Sequence, residues 1–184
     1  MRIISGTLKG RRLVAPRGMA TRPTADRIKE SVFNILAGDI QNRHVLDLFA
    51  GTGALGIEAL SRGAACAVFI DRAKPALAAL QRNIRDLRLE AQTRVIHWNI
   101  LSNLNCLIPY RHRFDLVFMD PPYESDAVTG TLSALTACQA LARGARVVIE
   151  HSVRESIAFP TEAMTLVDQR RFGTTLVSFM DSML

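Results

Sequence analysis

The apolar positions of this chain follow two rhythms. Short, nearly continuous apolar runs stand at His44–Phe49, 66–70, 93–98, 115–119 and Arg146–Glu150. Between them, apolar residues return every three or four positions. Continuous runs of this length read as strands covered on both faces, and the three-to-four spacing reads as helices laid against them. The spacing predicts helices from Thr24 to about Ala37, from the loop after the first strand to about Arg62, over 74–88 and over about 126–142. In the first of these, Thr24 is the expected cap, Asp26 lies in the first turn, and Ile28, Val32, Ile35 and Leu36 share one face. Arg2–Ser5 and Arg11–Ala15 flank Gly6 and Gly10 as a short hairpin. Met164–Arg170 and Thr174–Met180 form another around Gly173. Alternating β and α units predict an α/β, doubly wound, mostly parallel sheet with an antiparallel C-terminal hairpin at its edge. Residues 1–40 read as a basic hairpin-and-helix extension and 41–184 as the α/β domain.

The first strand, His44-Val45-Leu46-Asp47-Leu48-Phe49, runs into Ala50-Gly51-Thr52-Gly53-Ala54-Leu55-Gly56, a G-x-G-x-x-G loop opening a helix. Gly51 suits the tight turn, Gly53 a close approach of backbone to ligand, and Gly56 the packing of helix on strand. Asp71 ends the second strand twenty positions after Gly51, where an acid can bind both ribose hydroxyls. The loop alone does not separate a nicotinamide dinucleotide from S-adenosylmethionine, since both present an adenosine to such a loop. Asp47 favours the second: a carboxylate at the strand mouth repels a pyrophosphate and attracts the ammonium of a methionine moiety. The same residue could instead cap local backbone amides. Phe49, Gly51, Gly53 and Asp71 join Asp47 as candidate cofactor contacts.

Asp120-Pro121-Pro122-Tyr123 follows the apolar run Leu116-Val117-Phe118-Met119. These residues suit chemistry on an exocyclic amino group, whose lone pair is delocalised into the base. Asp120 and the Pro121 carbonyl can each accept one N–H of that group and so localise the pair, while Tyr123 offers a face for stacking. Pro121 and Pro122 lack N–H donors and stiffen the turn. Asp120 also abuts the expected cofactor position.

Charge sharpens the picture. The net charge is +6, and residues 1–30 hold eight basic side chains against two acidic ones, while the rest of the chain carries fifteen of each. Arg2, Lys9, Arg11, Arg12, Arg17 and Arg22 make this arm a candidate polyanion contact. A solvated basic surface is the alternative. With 48% hydrophobic residues the chain can bury a full core. No apolar stretch is long enough for a membrane helix or a signal peptide, which makes the cytoplasm the expected location. Cys66, Cys106 and Cys138 are widely spaced, and His44, His97, His112 and His151 lack ligand spacing, so neither disulfides nor a metal are expected.

In the order of its motifs the chain resembles a class I, Rossmann-like methyltransferase, and more narrowly the RsmD-type family that methylates N2 of a guanine in bacterial 16S ribosomal RNA. The resemblance rests on Arg2-Ile3-Ile4-Ser5-Gly6, Arg22-Pro23-Thr24 with Asp26-Arg27, Ser31 to Leu36, Asp47 to Gly53, Gly56 to Ala64 and Asp120 to Tyr123. It implies a seven-stranded sheet, S-adenosylmethionine as donor, and RNA within the small subunit or its precursor as partner. A monomer is expected. Where related enzymes carry an Asp after the third strand for the adenine amino group, this chain has Asn99, whose carbonyl can accept the same bond. Trp98 beside it suits core packing better than a ligand. Adenine-N6 methylation of RNA or DNA stays open, because both bases present an NH2. A nicotinamide oxidoreductase and a non-catalytic RNA-binding assembly factor explain fewer of these residues.

Overall fold

The structure, a computed structural model, describes residues 1–16, 23–122, 127–155, 157 and 162–183, with the side chains of residues 23–25 outside that set. Strands β1 (His44–Leu48), β2 (Cys66–Asp71), β3 (Thr93–His97), β4 (Phe114–Met119), β5 (Leu141–Ser152), β6 (Met164–Phe172) and β7 (Thr175–Ser182) form one sheet in the order β3-β2-β1-β4-β5-β7-β6. The first five are parallel, and β7 and β6 run antiparallel at one edge. Helices are α1 (Pro23–Ile35), α2 (Ala54–Ser61), α3 (Lys74–Leu87) and α4 (Ala127–Ala137).

Side chains alternate across the pleat, so each central strand feeds two cores. Val45, Phe69, Phe118 and Val148 belong to the core under α1, α2 and α3; Leu46, Ile70, Val117 and Val147 belong to the one under α4. In α1 the buried set includes Phe33, fully enclosed with its ring 5.4 Å from that of Phe118, while Ile35, expected on that face, is half-buried.

Three expectations need correction. The N-terminal hairpin forms without strands: its arms meet in one bridge, Arg2 to Arg12, through Ile3 N donating to Arg11 O at 2.9 Å, Gly10 N to Ile3 O at 2.9 Å and Leu13 N to Met1 O at 3.1 Å. Its backbone bonds elsewhere, Thr7 N donating to Ser61 O at 2.8 Å. Gly6 permits this approach, because a Cβ at that position would lie 1.8 Å from Ser61 O. Second, α4 stops at Ala137, and Gln139 takes φ 53°, so the Ala-rich continuation leaves the helix. Third, β5 starts at Leu141, beside Phe114, and a bulge between Phe114 and Leu116 absorbs the extra residues. Two short 3-10 turns, Glu90–Gln92 and Asn105–Tyr110, were not anticipated. Helix α1 begins at Pro23, so Thr24, expected as its cap, lies within the first turn instead, its side chain outside the described set.

Candidate active site

The sheet reverses its winding between β1 and β4, and the carboxyl ends of the strands there open into a cleft of about 650 Å³. Asp47, Phe49 and Gly51 line it from β1 and its loop, Asp71 from β2, Asn99 from beyond β3, and Asp120 and Pro122 from beyond β4. Residues separated by more than seventy positions in sequence thus share one wall.

The carboxylates of Asp47 and Asp71 are tied to backbone. Gly56 N donates to Asp47 Oδ2 at 2.8 Å, so Asp47 does cap the start of α2 while also lining the cleft. Gly51 N donates to Asp71 Oδ2 and Ala73 N to its Oδ1, both at 2.8 Å. Asn99 donates its amide N–H to Ser102 Oγ at 2.8 Å, which leaves the carbonyl as its acceptor face. Phe49 sits at φ 58°, an uncommon conformation for a bulky residue and one that turns the chain into the loop.

Gly53 behaves differently from expectation. It faces inward rather than into the cleft: a Cβ there would meet Leu80 Cδ1 at 2.4 Å and Ile57 Cδ1 at 3.1 Å. Its smallness serves the packing of α3 against α2. Trp98 also differs, lining the cleft as well as packing against the core under α4. Pro121 is buried, and Tyr123 lies outside the described residues.

A second cavity, of about 90 Å³, opens on the other side of Asp120. It lies between α1 and the sheet, with Phe118, Val148 and Val177 as its apolar floor and Glu150 at its rim beside Asp120. Asp120 is the one acidic residue, among the described residues, that lines both spaces.

The electrostatics suit a cation. Burial pushes the Asp47 carboxyl up to about 8 against the opposing Gly56 hydrogen bond, and the nearby Asp120 and Asp71 add to the rise. Solvent reaches Asp120 through the cleft mouth, yet protein atoms around its carboxyl strip enough water to raise its pKa, and the charge of Glu150 raises it further. Ionised, the acids of this cleft repel a pyrophosphate and attract an ammonium or a sulfonium, and a cation seated among them draws the raised pKa values of Asp47 and Asp120 back down.

The N-terminal arm closes over this site through residues the sequence did not reveal as important. Met1 and Ala15 line the cleft. Glu58, fully buried, accepts Ile4 N at 2.8 Å and Ser5 N at 3.0 Å and pairs with Lys29 at 3.3 Å and Arg62 at 2.9 Å. Burial lowers the Lys29 pKa despite Glu58. Asn83 accepts Val14 N at 2.7 Å and donates to Val14 O at 3.0 Å and Thr52 O at 3.1 Å, joining arm to glycine loop. Arg2, Lys9, Arg11 and Arg12 are exposed on this arm, with Arg11 Nη2 donating to Asp86 O at 3.1 Å; Arg17 and Arg22 lie outside the described residues.

The family model described as Conserved hypothetical protein 95 matches residues 1–181. The chain belongs to this family. Similarity to "Ribosomal RNA small subunit methyltransferase D" of Escherichia coli K12 is 36% identity over 157 residues, covering 85% of this chain and 77% of that protein. The same name belongs to a Haemophilus influenzae relative, 34% identical over 94% of this chain and 89% of its own. The solved structure of Escherichia coli yhhF superposes with a TM-score of 0.88 at 33% identity, covering 99% of this chain and 97% of that one. The chain thus has the Rossmann-like methyltransferase fold of that structure.

Proposed function

We propose that the protein transfers a methyl group from S-adenosylmethionine to the exocyclic N2 amino group of a guanine in small-subunit ribosomal RNA, with the base turned out of its stack. The observation that carries this reading is the position of Asp120, shared by the acidic cleft and the smaller cavity behind it. A group that must meet both a cofactor and a base belongs at such a junction. The names of the relatives support ribosomal RNA as the substrate class.

The donor set fits the cofactor. Asp47 meets the amino-acid ammonium, Asp71 the ribose hydroxyls, and the Asn99 carbonyl the adenine amino group; Trp98 and Phe49 flank the rings. When bound, S-adenosylmethionine supplies an electrophilic methyl group. Asp120 accepts one N–H of the target amine, the Pro121 carbonyl the other, and Tyr123 stacks on the base. As the amine nitrogen gains its carbon, its lost proton passes to Asp120 or through it to water. Arg2, Lys9, Arg11 and Arg12, with Arg17 and Arg22 of the same segment, neutralise RNA phosphates around the site.

The test offers the protein tritiated S-adenosylmethionine with small subunits lacking their methylations, naked ribosomal RNA and duplex DNA, and identifies the labelled nucleoside. N2-methylguanosine from RNA is expected. N6-methyladenosine, or label in DNA, would overturn the substrate while leaving the amino-group chemistry intact.

A further inference from the structure

The methyltransferase fold and an acid beside the reacting amine do not explain why a guanine, rather than an adenine, should be taken. We infer that Glu150 is the specificity-determining residue: its carboxylate accepts the N1–H of the target base and so selects guanine. The inference rests on the guanine-N2 reading above and names the group that enforces it.

The argument begins in the sheet register. β4 and β5 are parallel with Phe118 opposite Val148 and Met119 opposite Ile149. One step further, Asp120 just past the end of β4 and Glu150 within β5 are neighbours by the same register, and adjacent strands stand only ~4.8 Å apart. Alternation puts Glu150 on the same face as Val148, and Asp120 on the same face as Phe118. All four line the smaller cavity, together with Val177, the residue paired to Glu150 from β7. The effect of Glu150 on Asp120 is that of a nearby like charge. Two acceptors thus sit side by side above an apolar floor.

Among the described residues, two other charged groups line this cavity and fit the role less well. Lys29 gives its ammonium to Arg2 O at 2.7 Å and to Glu58 at 3.3 Å. Asp26 comes from the first turn of α1, on the far wall from the sheet that delivers Asp120. Among these described residues, only Glu150 lies beside Asp120 in the register of β4 and β5.

Base chemistry supplies the selection. In guanine the exocyclic N2 amine is flanked by N1–H, a donor, so the edge offers contiguous N–H groups to adjacent carboxylates. In adenine the N6 amine stands between the lone pairs of N1 on its Watson–Crick side and N7 on its Hoogsteen side, and in cytosine the N4 amine is flanked by N3, again a lone pair. A carboxylate beside the amine attracts the first edge and repels the other two. Asp120 engages the amine whichever base arrives, and Glu150 reads its neighbour.

The experiment follows from that difference. Once the labelled nucleotide is located, synthetic RNA is ligated to carry either guanine or 2,6-diaminopurine at that position; the analogue keeps the C2 amine but has a lone pair at N1. Wild-type protein should prefer guanine in kcat/KM by about a hundredfold, the scale of one buried acceptor left facing a lone pair. Glu150→Gln can donate to N1, so its preference should shrink by about tenfold to a hundredfold through loss on guanine and gain on diaminopurine. Glu150→Ala should lose guanine without gaining the analogue. Binding of S-adenosylhomocysteine, read by calorimetry, should be unchanged in both variants. An unchanged preference in Glu150→Gln, or equal losses on both RNAs, would overturn the assignment and leave Glu150 a structural residue. If wild-type protein makes no N2-methylguanosine at all, the guanine reading itself fails and this inference with it.

Discussion

Asp71 holds Gly51 in place: the carboxylate ending β2 accepts the N–H of the loop after β1 at 2.8 Å, across twenty positions of sequence. Two parts of a fingerprint that look separate in the sequence are therefore one hydrogen-bonded unit. Asp71→Ala removes the ribose acceptor and frees the loop together. We expect a cofactor Kd raised by about tenfold to a hundredfold, since charge-assisted bonds of this kind contribute ~1.5–3 kcal/mol each. Calorimetry with S-adenosylhomocysteine checks this, and unchanged affinity would remove Asp71 from the site.

Asp120 should separate chemistry from binding. Asp120→Ala should lower kcat by about 10²–10³, the scale for losing one transition-state acceptor, with the cofactor Kd nearly unchanged. Because burial and then Glu150 raise the Asp120 pKa, ionised Asp120 accumulates only above the ordinary carboxylate range. The rate should therefore climb with pH through a region where an ordinary Asp is already fully ionised. A flat profile from pH 5 to 9 would deny Asp120 a role as proton acceptor.

Asp47 should tie stability to pH. Its pKa is about 8 folded against 3.8 for the ordinary group. At pH below both values the proton is present in either state. As pH rises from near 4, the unfolded chain ionises freely while the folded chain keeps its proton until about 8, so stability is lost across that window. The ligand-free Tm should fall from pH 5 to pH 8, and Asp47→Asn should flatten the slope while weakening cofactor binding. Thermal melts with and without S-adenosylhomocysteine read both effects.

Glu58 is the anchor of the arm. Glu58→Ala leaves Lys29 buried without its carboxylate and orphans the N–H groups of Ile4 and Ser5. A loss of about 3–5 kcal/mol is expected from urea titration, as for other broken buried ion pairs. A loss under about 1 kcal/mol would show that the arm carries little of the fold's stability.

Replacing Arg2, Lys9 and Arg12 by alanine should raise the KM for RNA and reduce the steepness of its salt dependence by about two to three units of the log–log slope, with cofactor affinity unaffected. An unchanged slope would reject phosphate contact by the arm.

How much of this was legible in the sequence depends on the distance over which each residue acts. Asp47, Gly51 and Asp71 could be read because a strand, a loop and the next strand impose fixed spacing, and Asp120 because it ends an apolar run. Glu58, Asn83 and Glu150 could not. Their partners lie 54, 69 and 30 positions away, at Ile4, Val14 and Asp120, and only the tertiary fold makes them neighbours. Glu58 also sits in an otherwise helix-like run where an acid suggests a solvated face, the reverse of its burial. The end of α4 was misjudged for a local reason: Ala140 and Leu141 continue a helical pattern, and pairing of Leu141 with Phe114 overrides that propensity. Gly53 shows the converse, a motif residue that a φ of 78° and the nearness of Leu80 already hold to glycine.

Asn83 spends a single amide on two masters, the arm at Val14 and the glycine loop at Thr52. The segment proposed to meet RNA and the segment proposed to meet cofactor consequently share one hinge pin, and tightening either draws on the same bonds. Free energy coupled in this way is reciprocal: to whatever extent seated RNA stiffens the loop and tightens cofactor binding, bound cofactor tightens the grip on RNA by the same factor.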